Sequence, residues 1–254
     1  MTADIVQLRP RPRINEERRI QDLINEVMGA QAEVGFVPYK PPYIRYRFPE
    51  TSEGAMKSLL RVWYAGSQRV IYFNLEAIAG NAKKFLAAKE ILKADALFAN
   101  PFIIERTNDL ELKWLIARAL GEHFVWMLHT NDFPESWIFR DTDKSHELFS
   151  AEVVFGGIAE YLARIALPIP ETIADSIWKS YSEDSSLSKN GNARDWFTSK
   201  GGFNLVRPII DQYRILGIHY LMTNPLRVNR HFSLTSVLRY RRNALKTLAS
   251  QKMS

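Results

Sequence analysis

The stretch KWLIARALGEHFVWMLH, residues 113–129, decides the fold. Its apolar residues recur at helical spacing, so it predicts a helix that we expect to begin at a cap on Asn108 and to end near Leu128. The pattern that follows predicts a second long helix, capped by Ser145 and ending near Ala166, before Pro168. These two helices predict a helical core.

Shorter elements precede this core. Residues 35–48 alternate around prolines and predict one or two edge strands, and residues 69–73 predict another strand. Residues 52–65 and 75–99 predict helices. Before them, residues 1–14 predict an extended basic arm, because prolines oppose a helix there, and Asn15 is expected to cap the first helix. The fold class is therefore mainly α, that is, α+β with a small, short-stranded sheet.

The chain beyond these two helices predicts three more helices, at 171–182, about 203–222 and about 233–250. A stretch rich in Ser and Asn between them predicts a linker. We therefore expect four parts, which are the arm at 1–14, a core at 15–181, a linker at 182–194 and a basic helical segment at 195–254.

Composition limits the class of protein. There is no cysteine, which excludes disulfides, thiolate zinc sites and cysteine nucleophiles. The N-terminus has no apolar core of the signal-peptide type, and no apolar run reaches the roughly 20 residues that a membrane span needs. We therefore expect a cytoplasmic protein with no membrane partner, and nothing in the sequence calls for a cofactor.

Charge is spread unevenly along the chain. Residues 107–184 carry 6 basic and 14 acidic groups, net −8, whereas residues 196–254 carry 10 basic groups and one acidic group, net +9. A basic segment of this kind predicts binding to nucleic acid, with DNA favoured over RNA. The alternative is that the acidic and basic patches face each other, either inside one chain or across a homo-oligomer.

The last predicted helix separates the apolar residues of the basic segment from its cations. Leu234, Val237 and Leu238 begin an apolar stripe on it, while Arg239, Arg242 and Lys246 fall at i, i+3 and i+7 on a different face. The candidate nucleic-acid contacts are the cations of this segment and of the arm: Arg227, Arg230, Arg239, Arg241, Arg242, Lys246, Arg9, Arg11 and Arg13.

The two middle helices resemble a known catalytic pair. Leu115-Ile-Ala, Leu120-Gly and His129 keep the frame of the active-site helix of zincin metallopeptidases of the ImmA/IrrE type. In that family two histidines of the helix hold zinc and a glutamate between them activates water. Arg118 and Glu122 stand at the histidine positions here, and Ala119 stands at the glutamate position.

The resemblance extends to the second helix, where Glu152 matches the family's third zinc ligand. It implies a degenerate site in which Arg118 replaces the cation between Glu122 and Glu152, a pseudoenzyme without peptidase activity. A metal site remains the alternative, because Glu122 and His129 share a helix face and Glu152, or His146 with Glu147, lies on the next helix.

A second resemblance concerns ribonucleases of the HEPN type, which use an Arg-x4-His pattern. Arg118 with His123 matches this pattern, and Arg214 with His219 matches it too. The resemblance implies that Arg stabilises a phosphate transition state while His transfers a proton.

The sequence thus favours a non-catalytic nucleic-acid-binding or regulatory protein on a degenerate zincin-like core. One alternative is a hydrolase, either an Arg-x4-His ribonuclease or a metal-dependent enzyme. Another is a protein-interaction module that self-associates through its opposite charge patches.

Overall fold

Five long helices, a few short helical turns and a three-stranded sheet form the part of the chain that a computed structural model describes, residues 12–36, 40–47, 61–78, 101–139, 145–167, 200–226 and 234–252. We number the elements in chain order: α1 (Pro12–Glu33), β1 (Tyr43–Arg45), β2 (Val62–Ala65), β3 (Val70–Phe73), α2 (Pro101–Asn131), α3 (Ser145–Ala166), α4 (Gly202–Thr223) and α5 (Leu234–Lys252). The predicted class, mainly helical with a small sheet, is confirmed.

The sheet has the order β1-β3-β2, with β1 parallel and β2 antiparallel to β3. All four residues of the central strand, Val70–Phe73, are buried. A run of β-branched and aromatic residues suits a strand that is covered on both faces. The predicted strand at residues 69–73 and the predicted edge strand within residues 35–48 are both present.

The helix predicted over residues 52–65 is wrong at its end, because Val62–Ala65 form strand β2. Val62 pairs with Phe73, and Ala65 pairs with Val70. The spacing of Leu59, Leu60 and Trp63 suggests a helix, but backbone pairing with β3 overrides this local pattern.

Two helices begin earlier than their expected caps. Helix α1 begins at Pro12 and helix α2 at Pro101, so Asn15 and Asn108 lie inside helices. Proline suits the first helical position because its missing N–H has no partner to lose there. The extended arm therefore does not include residues 12–14, which are helical, and residues 1–11 lie outside the described part of the chain.

Helices α2 and α3 pack against each other in antiparallel directions. A Cβ on Gly121 would lie 2.8 Å from the carbonyl oxygen of Ala159, so the two backbones meet at this pair. The first half of α2 packs on α1 and the sheet, around Trp114 and Ile116. The second half packs on α3 and α4, around Val125 and Ile158.

Helix α4 lies across α3 at a still closer contact. A Cβ on Gly202 would collide with the carbonyl oxygen of Val153, and a Cβ on Gly157 would collide with the Gly202 backbone. Two facing glycines therefore permit the crossing that brings α4 into the core.

The single helix predicted at about 203–222 is wrong in one respect, because α4 contains a sharp corner. Arg214 has φ 52° and ψ −126°, which is not a helical conformation. Beyond it the chain folds back, so that a Cβ on Gly217 would lie 2.8 Å from the carbonyl oxygen of Ile209, eight residues earlier. A straight helix would hold residues eight positions apart about 12 Å from each other.

Helix α5 packs on α4 on both sides of its corner. The Tyr213 hydroxyl donates to the Leu245 carbonyl at 3.3 Å, and the Tyr240 hydroxyl donates to the Asn224 carbonyl at 2.7 Å. Ala244 and Leu248 are buried in this contact. No helix in the described ranges is both long and apolar enough to cross a membrane.

Several predictions concern residues outside the described ranges. These are the helix at 171–182, the linker at 182–194 and most of the helix at 75–99, of which only residues 75–78 are described, as helix.

Candidate functional site

The basic stripe of the last helix lies on its exposed side. Arg239, Arg242 and Lys246 are exposed, and Arg241 is half-buried. The opposite side of α5, with Ala244 and Leu248, is buried against α4. The apolar face thus fixes which side of the helix presents the cations.

No acidic side chain in the described ranges forms an ion pair with these cations, Arg239, Arg241, Arg242 and Lys246. The one acidic residue of α4 and α5 is Asp211, which accepts a hydrogen bond from the Tyr161 hydroxyl at 2.7 Å and lies 3.4 Å from Arg207 Nε. The positive charge of α5 therefore faces solvent.

The other candidate nucleic-acid contacts are not placed. Arg9, Arg11, Arg227 and Arg230 lie outside the described residues, and Arg13 is described only as part of the α1 backbone.

Arg118 and Glu122 form the ion pair that their spacing predicts. Arg118 Nε lies 3.5 Å from Glu122 Oε1, and the two side chains are 18% and 22% exposed. The pair is therefore only partly exposed, and water screens part of the attraction between its charges.

Glu152 does not fit the predicted arrangement around Arg118. Gly121 faces Ala159 where α2 and α3 meet. Arg118 lies three residues to one side of that point and Glu152 seven residues to the other, because the helices are antiparallel. At 1.5 Å per residue this separates them by about 15 Å along the helix pair. The register therefore argues against a site with Arg118 between Glu122 and Glu152.

The alternative metal site of Glu122, His129 and Glu152 is not assembled among the described residues. Within the described ranges, no three His, Asp or Glu side chains lie close enough together to hold a metal ion, and Glu122, His129 and Glu152 are all described. His129 is engaged elsewhere, because its ring stacks on Phe139 at 4.3 Å and its Nδ1 lies 3.1 Å from the Phe133 carbonyl oxygen. His146 is described only as part of the α3 backbone.

His123 lies in the interior between α2, β2 and the chain before β1. Its side chain is fully buried, with Nε2 2.6 Å from the Lys40 carbonyl oxygen and Nδ1 2.9 Å from the Tyr64 hydroxyl. A carbonyl can only accept, so Nε2 carries the proton and donates to Lys40. In the neutral ring, Nδ1 then accepts a hydrogen bond from Tyr64.

Burial favours this neutral state on both partners. Burial lowers the pKa of His123 below its usual value, although the hydrogen bond to the Lys40 carbonyl opposes this shift. Burial, with the charge of Glu122 second, raises the pKa of the Tyr64 hydroxyl well above its usual value. Tyr64 therefore keeps the proton that it donates to His123.

This geometry does not favour the catalytic role suggested for Arg118 with His123. Both ring nitrogens of His123 are occupied by groups of the chain itself, and the side chain has no exposed surface. A general acid or base must reach its substrate within hydrogen-bond distance. As folded, His123 cannot reach one.

The second Arg-x4-His match lies across the corner in α4. Arg214 is the corner residue itself, and His219 is exposed, with its ring 4.5 Å from the ring of Phe133. The two residues therefore belong to different segments of a bent helix.

The sequence patterns do not predict one polar cluster that is buried in the structure. Glu160 is fully buried on α3, and Arg164 Nε donates to its Oε1 at 2.8 Å. The Arg164 guanidinium lies 4.2 Å from the ring centre of Phe203 on α4, with the Arg207 guanidinium 5.6 Å from the same ring. The spacing of Glu160 and Arg164 indicates a surface pair, and only the packing of α4 buries it.

Comparisons with known proteins add no relative: no protein-family model, no curated protein and no solved structure matches this chain. The likenesses to zincins and to HEPN ribonucleases therefore depend only on the residues quoted above.

Proposed function

We propose that the protein is a non-catalytic, cytoplasmic nucleic-acid-binding protein and that α5 binds the phosphate backbone. The observation that carries the proposal is the stripe of Arg239, Arg242 and Lys246, which is exposed and free of ion pairs within the described residues. Its buried opposite face keeps the stripe turned outward.

The dimensions of the stripe suit a phosphate backbone. Seven residues of helix separate Arg239 from Lys246, which is about 10 Å along the axis. One strand of duplex DNA presents a phosphate charge about every 3.4 Å along its axis, so three cations face about three phosphates. Arginine also pairs with phosphate through two parallel hydrogen bonds.

Duplex DNA is the preferred ligand because α5 is an exposed helix of 19 residues. The major groove of B-form DNA admits a helix, whereas the major groove of double-stranded RNA is too narrow. Contacts to phosphates do not read sequence, so we expect binding with little base preference.

The absence of catalysis is the second part of the proposal. Ala119 stands where the zincin family has its general base, and the Arg118–Glu122 pair occupies the positions of two zinc ligands. Both ring nitrogens of His123 are hydrogen-bonded, to Tyr64 and to Lys40. Purified protein, dialysed without chelator, should therefore contain no stoichiometric zinc by elemental analysis. One zinc per chain would revive the metalloenzyme.

Anisotropy of a labelled DNA duplex, measured over a series of salt concentrations, tests the binding. The R239A/R242A/K246A variant should flatten the slope of log affinity against log salt by about 2–3 units, since each lost phosphate contact removes about one unit. The fold should survive, because these side chains are off the buried face.

The matched control is R18A/R45A/R47A, which removes three exposed cations from the other end of the described chain and the same net charge. It should keep the wild-type slope. Equal losses in both triple variants would mean diffuse attraction rather than a site on α5, and the absence of salt-sensitive binding would refute the proposal.

Labelled RNA incubated in parallel tests the hydrolase alternative. Intact RNA supports a binding protein. RNA cleavage by the wild type that is lost in H219A or H123A would support the ribonuclease instead.

A further inference from the structure

The corner in α4 places one residue in an unfavourable backbone conformation. The dihedral angles of Arg214, φ 52° and ψ −126°, fall outside the helical, extended and left-handed helical regions. Among the described residues the only other non-glycine with positive φ is Arg69, which at φ 56° and ψ 40° lies in the ordinary left-handed region. Strain of the kind that Arg214 carries shifts an equilibrium by about five- to a hundredfold.

The sequence around Arg214 favours a straight helix instead. Residues 210–216 contain no glycine or proline, the residues that usually form corners. In a straight helix Leu216 would follow Tyr213 at i+3 and extend the apolar stripe that contains Ile209 and Ile210. In the folded-back form Ile215 and Leu216 are instead 44% and 60% exposed.

Contacts far from the corner hold the fold-back in place. Ser136 Oγ donates to the Met222 carbonyl at 3.0 Å, and Trp137 Nε1 donates to the Leu221 carbonyl at 2.8 Å. These bonds join the second half of α4 to the chain between α2 and α3. A second copy of the same chain presents the same donors and can make the same bonds.

We infer that two copies of the chain exchange the segment from Ile215 onward. In the exchanged dimer α4 is straight at Arg214, and the second half of α4, with α5, packs on Ser136 and Trp137 of the second copy. The hydrogen bonds from Ser136 and Trp137 are then made between the copies, the strain at Arg214 is relieved twice, and Ile215 and Leu216 come to lie between the two copies. Strained, very short connections are the sites where such exchange occurs.

The exchange would relate two α5 helices by two-fold symmetry. That arrangement matters for DNA only if the proposed function is correct. The exchange itself depends on the corner in α4 and not on nucleic-acid binding, so it is tested with the protein alone.

The first test compares wild type, R214A and R214G by size-exclusion chromatography with light scattering, after each protein has been unfolded and refolded at high concentration. Wild type and R214A should form a dimer. R214G should lower the dimerisation constant by about tenfold or more, because glycine accepts positive φ in the closed form and weakens the straight helix. Arg214 is exposed, so all three should fold.

The second test establishes the connectivity of the dimer. The rings of Phe133 and His219 lie 4.5 Å apart across the contact that would be exchanged, and the chain has no cysteine. In F133C/H219C, a short bis-maleimide should link the two cysteines within one chain in the monomer fraction. In the dimer fraction it should link two chains, which then run as a dimer on a denaturing gel.

Three results would overturn the inference. Wild-type protein that stays monomeric rules out exchange. A dimer that R214G forms as readily as R214A does not depend on the corner. Links within single chains in the dimer fraction would show two closed chains side by side.

Discussion

The Tyr64 hydroxyl donates a hydrogen bond to His123 Nδ1 at 2.9 Å and so joins strand β2 to helix α2 in the interior. The other ring nitrogen donates to Lys40, which ties the chain before β1 to the same point. A residue with the side chain of a proton-transfer group therefore has a structural role, and its neutral state is part of the fold.

This arrangement makes stability depend on pH. The folded pKa of His123 is lowered, whereas an unfolded histidine titrates near about 6.5. As pH falls through that value, His123 binds a proton in the unfolded chain but stays neutral in the folded chain. The stabilisation is therefore complete above about pH 6.5 and is lost at lower pH, with a slope of up to about 1.4 kcal/mol per pH unit.

Urea titrations between about pH 8 and pH 5 measure this slope. The control is H123Q, which keeps one donor and one acceptor but does not titrate, so the difference between the two profiles isolates His123 from the carboxylates. Y64F removes the donor to Nδ1 but should keep the pH slope, because burial is the main cause of the shift. A slope unchanged in H123Q would show that His123 is not the group responsible.

A buried ion pair also joins the residue before β2 to α2. Arg61 Nη2 binds Glu111 Oε1, and the side chains are only 10% and 2% exposed. R61M should cost about 3–5 kcal/mol of unfolding free energy, because it leaves a buried carboxylate without its cation. Chemical denaturation measures the loss.

The same helix provides the control for this prediction. Lys113 and Glu26 form an exposed pair at 2.6 Å, in which Glu26 is 56% exposed. K113A should cost less than about 1 kcal/mol, because water screens that pair. Equal losses in R61M and K113A would mean that burial does not distinguish the two pairs.

The ion pair of Arg118 is intermediate in exposure between the other two ion pairs. R118A should cost about 1 kcal/mol, because its partner Glu122 is partly exposed and water can replace the lost cation. A loss as large as that of R61M would contradict this and restore the predicted role of Arg118 as a buried cation. Parallel urea titrations of R118A and R61M decide the question.

The sequence predicts the long helices well and their breaks poorly. Length and apolar content locate α2 and α3, which are buried on most sides, as the unbroken buried runs 114–117 and 156–163 show. Apolar spacing with a period of 3.6 locates α5, because that helix buries one face. Helices α1 and α2 begin at Pro12 and Pro101, because a residue without an N–H loses no hydrogen bond at the first helical position. The sequence predicts later starts because the asparagines nearby are the more usual cap residues.

Other features depend on contacts between distant parts of the chain. Val62–Ala65 become a strand by pairing with β3, and Tyr64 meets His123 across 59 residues. Neither glycine nor proline stands at the corner itself, although Gly217 permits the close approach behind it, and the bonds from Ser136 and Trp137 hold the second half of α4 in place. No local pattern contains such information. The basic stripe of α5, in contrast, could be read from spacing alone, because its position depends only on the helix and its buried face.

The crossing of α3 and α4 gives the last prediction. A Cβ on Gly157 would meet backbone atoms of Gly202, and backbone cannot rotate away as a flexible side chain can. G157A should therefore force the helices apart and cost at least about 3 kcal/mol, the upper part of the range for overpacked cores. Chemical denaturation measures the loss.

The control is G29A on α1, where no atom lies within 4 Å of the added Cβ and the backbone is helical. That variant should gain about 0.5–1 kcal/mol from helix propensity alone. The crossing positions α4, and α5 packs on α4. G157A should therefore also loosen the packing of Leu248, whereas a single substitution on the exposed face of α5 should not. A G157A protein as stable as wild type would mean that the two backbones do not touch at this pair.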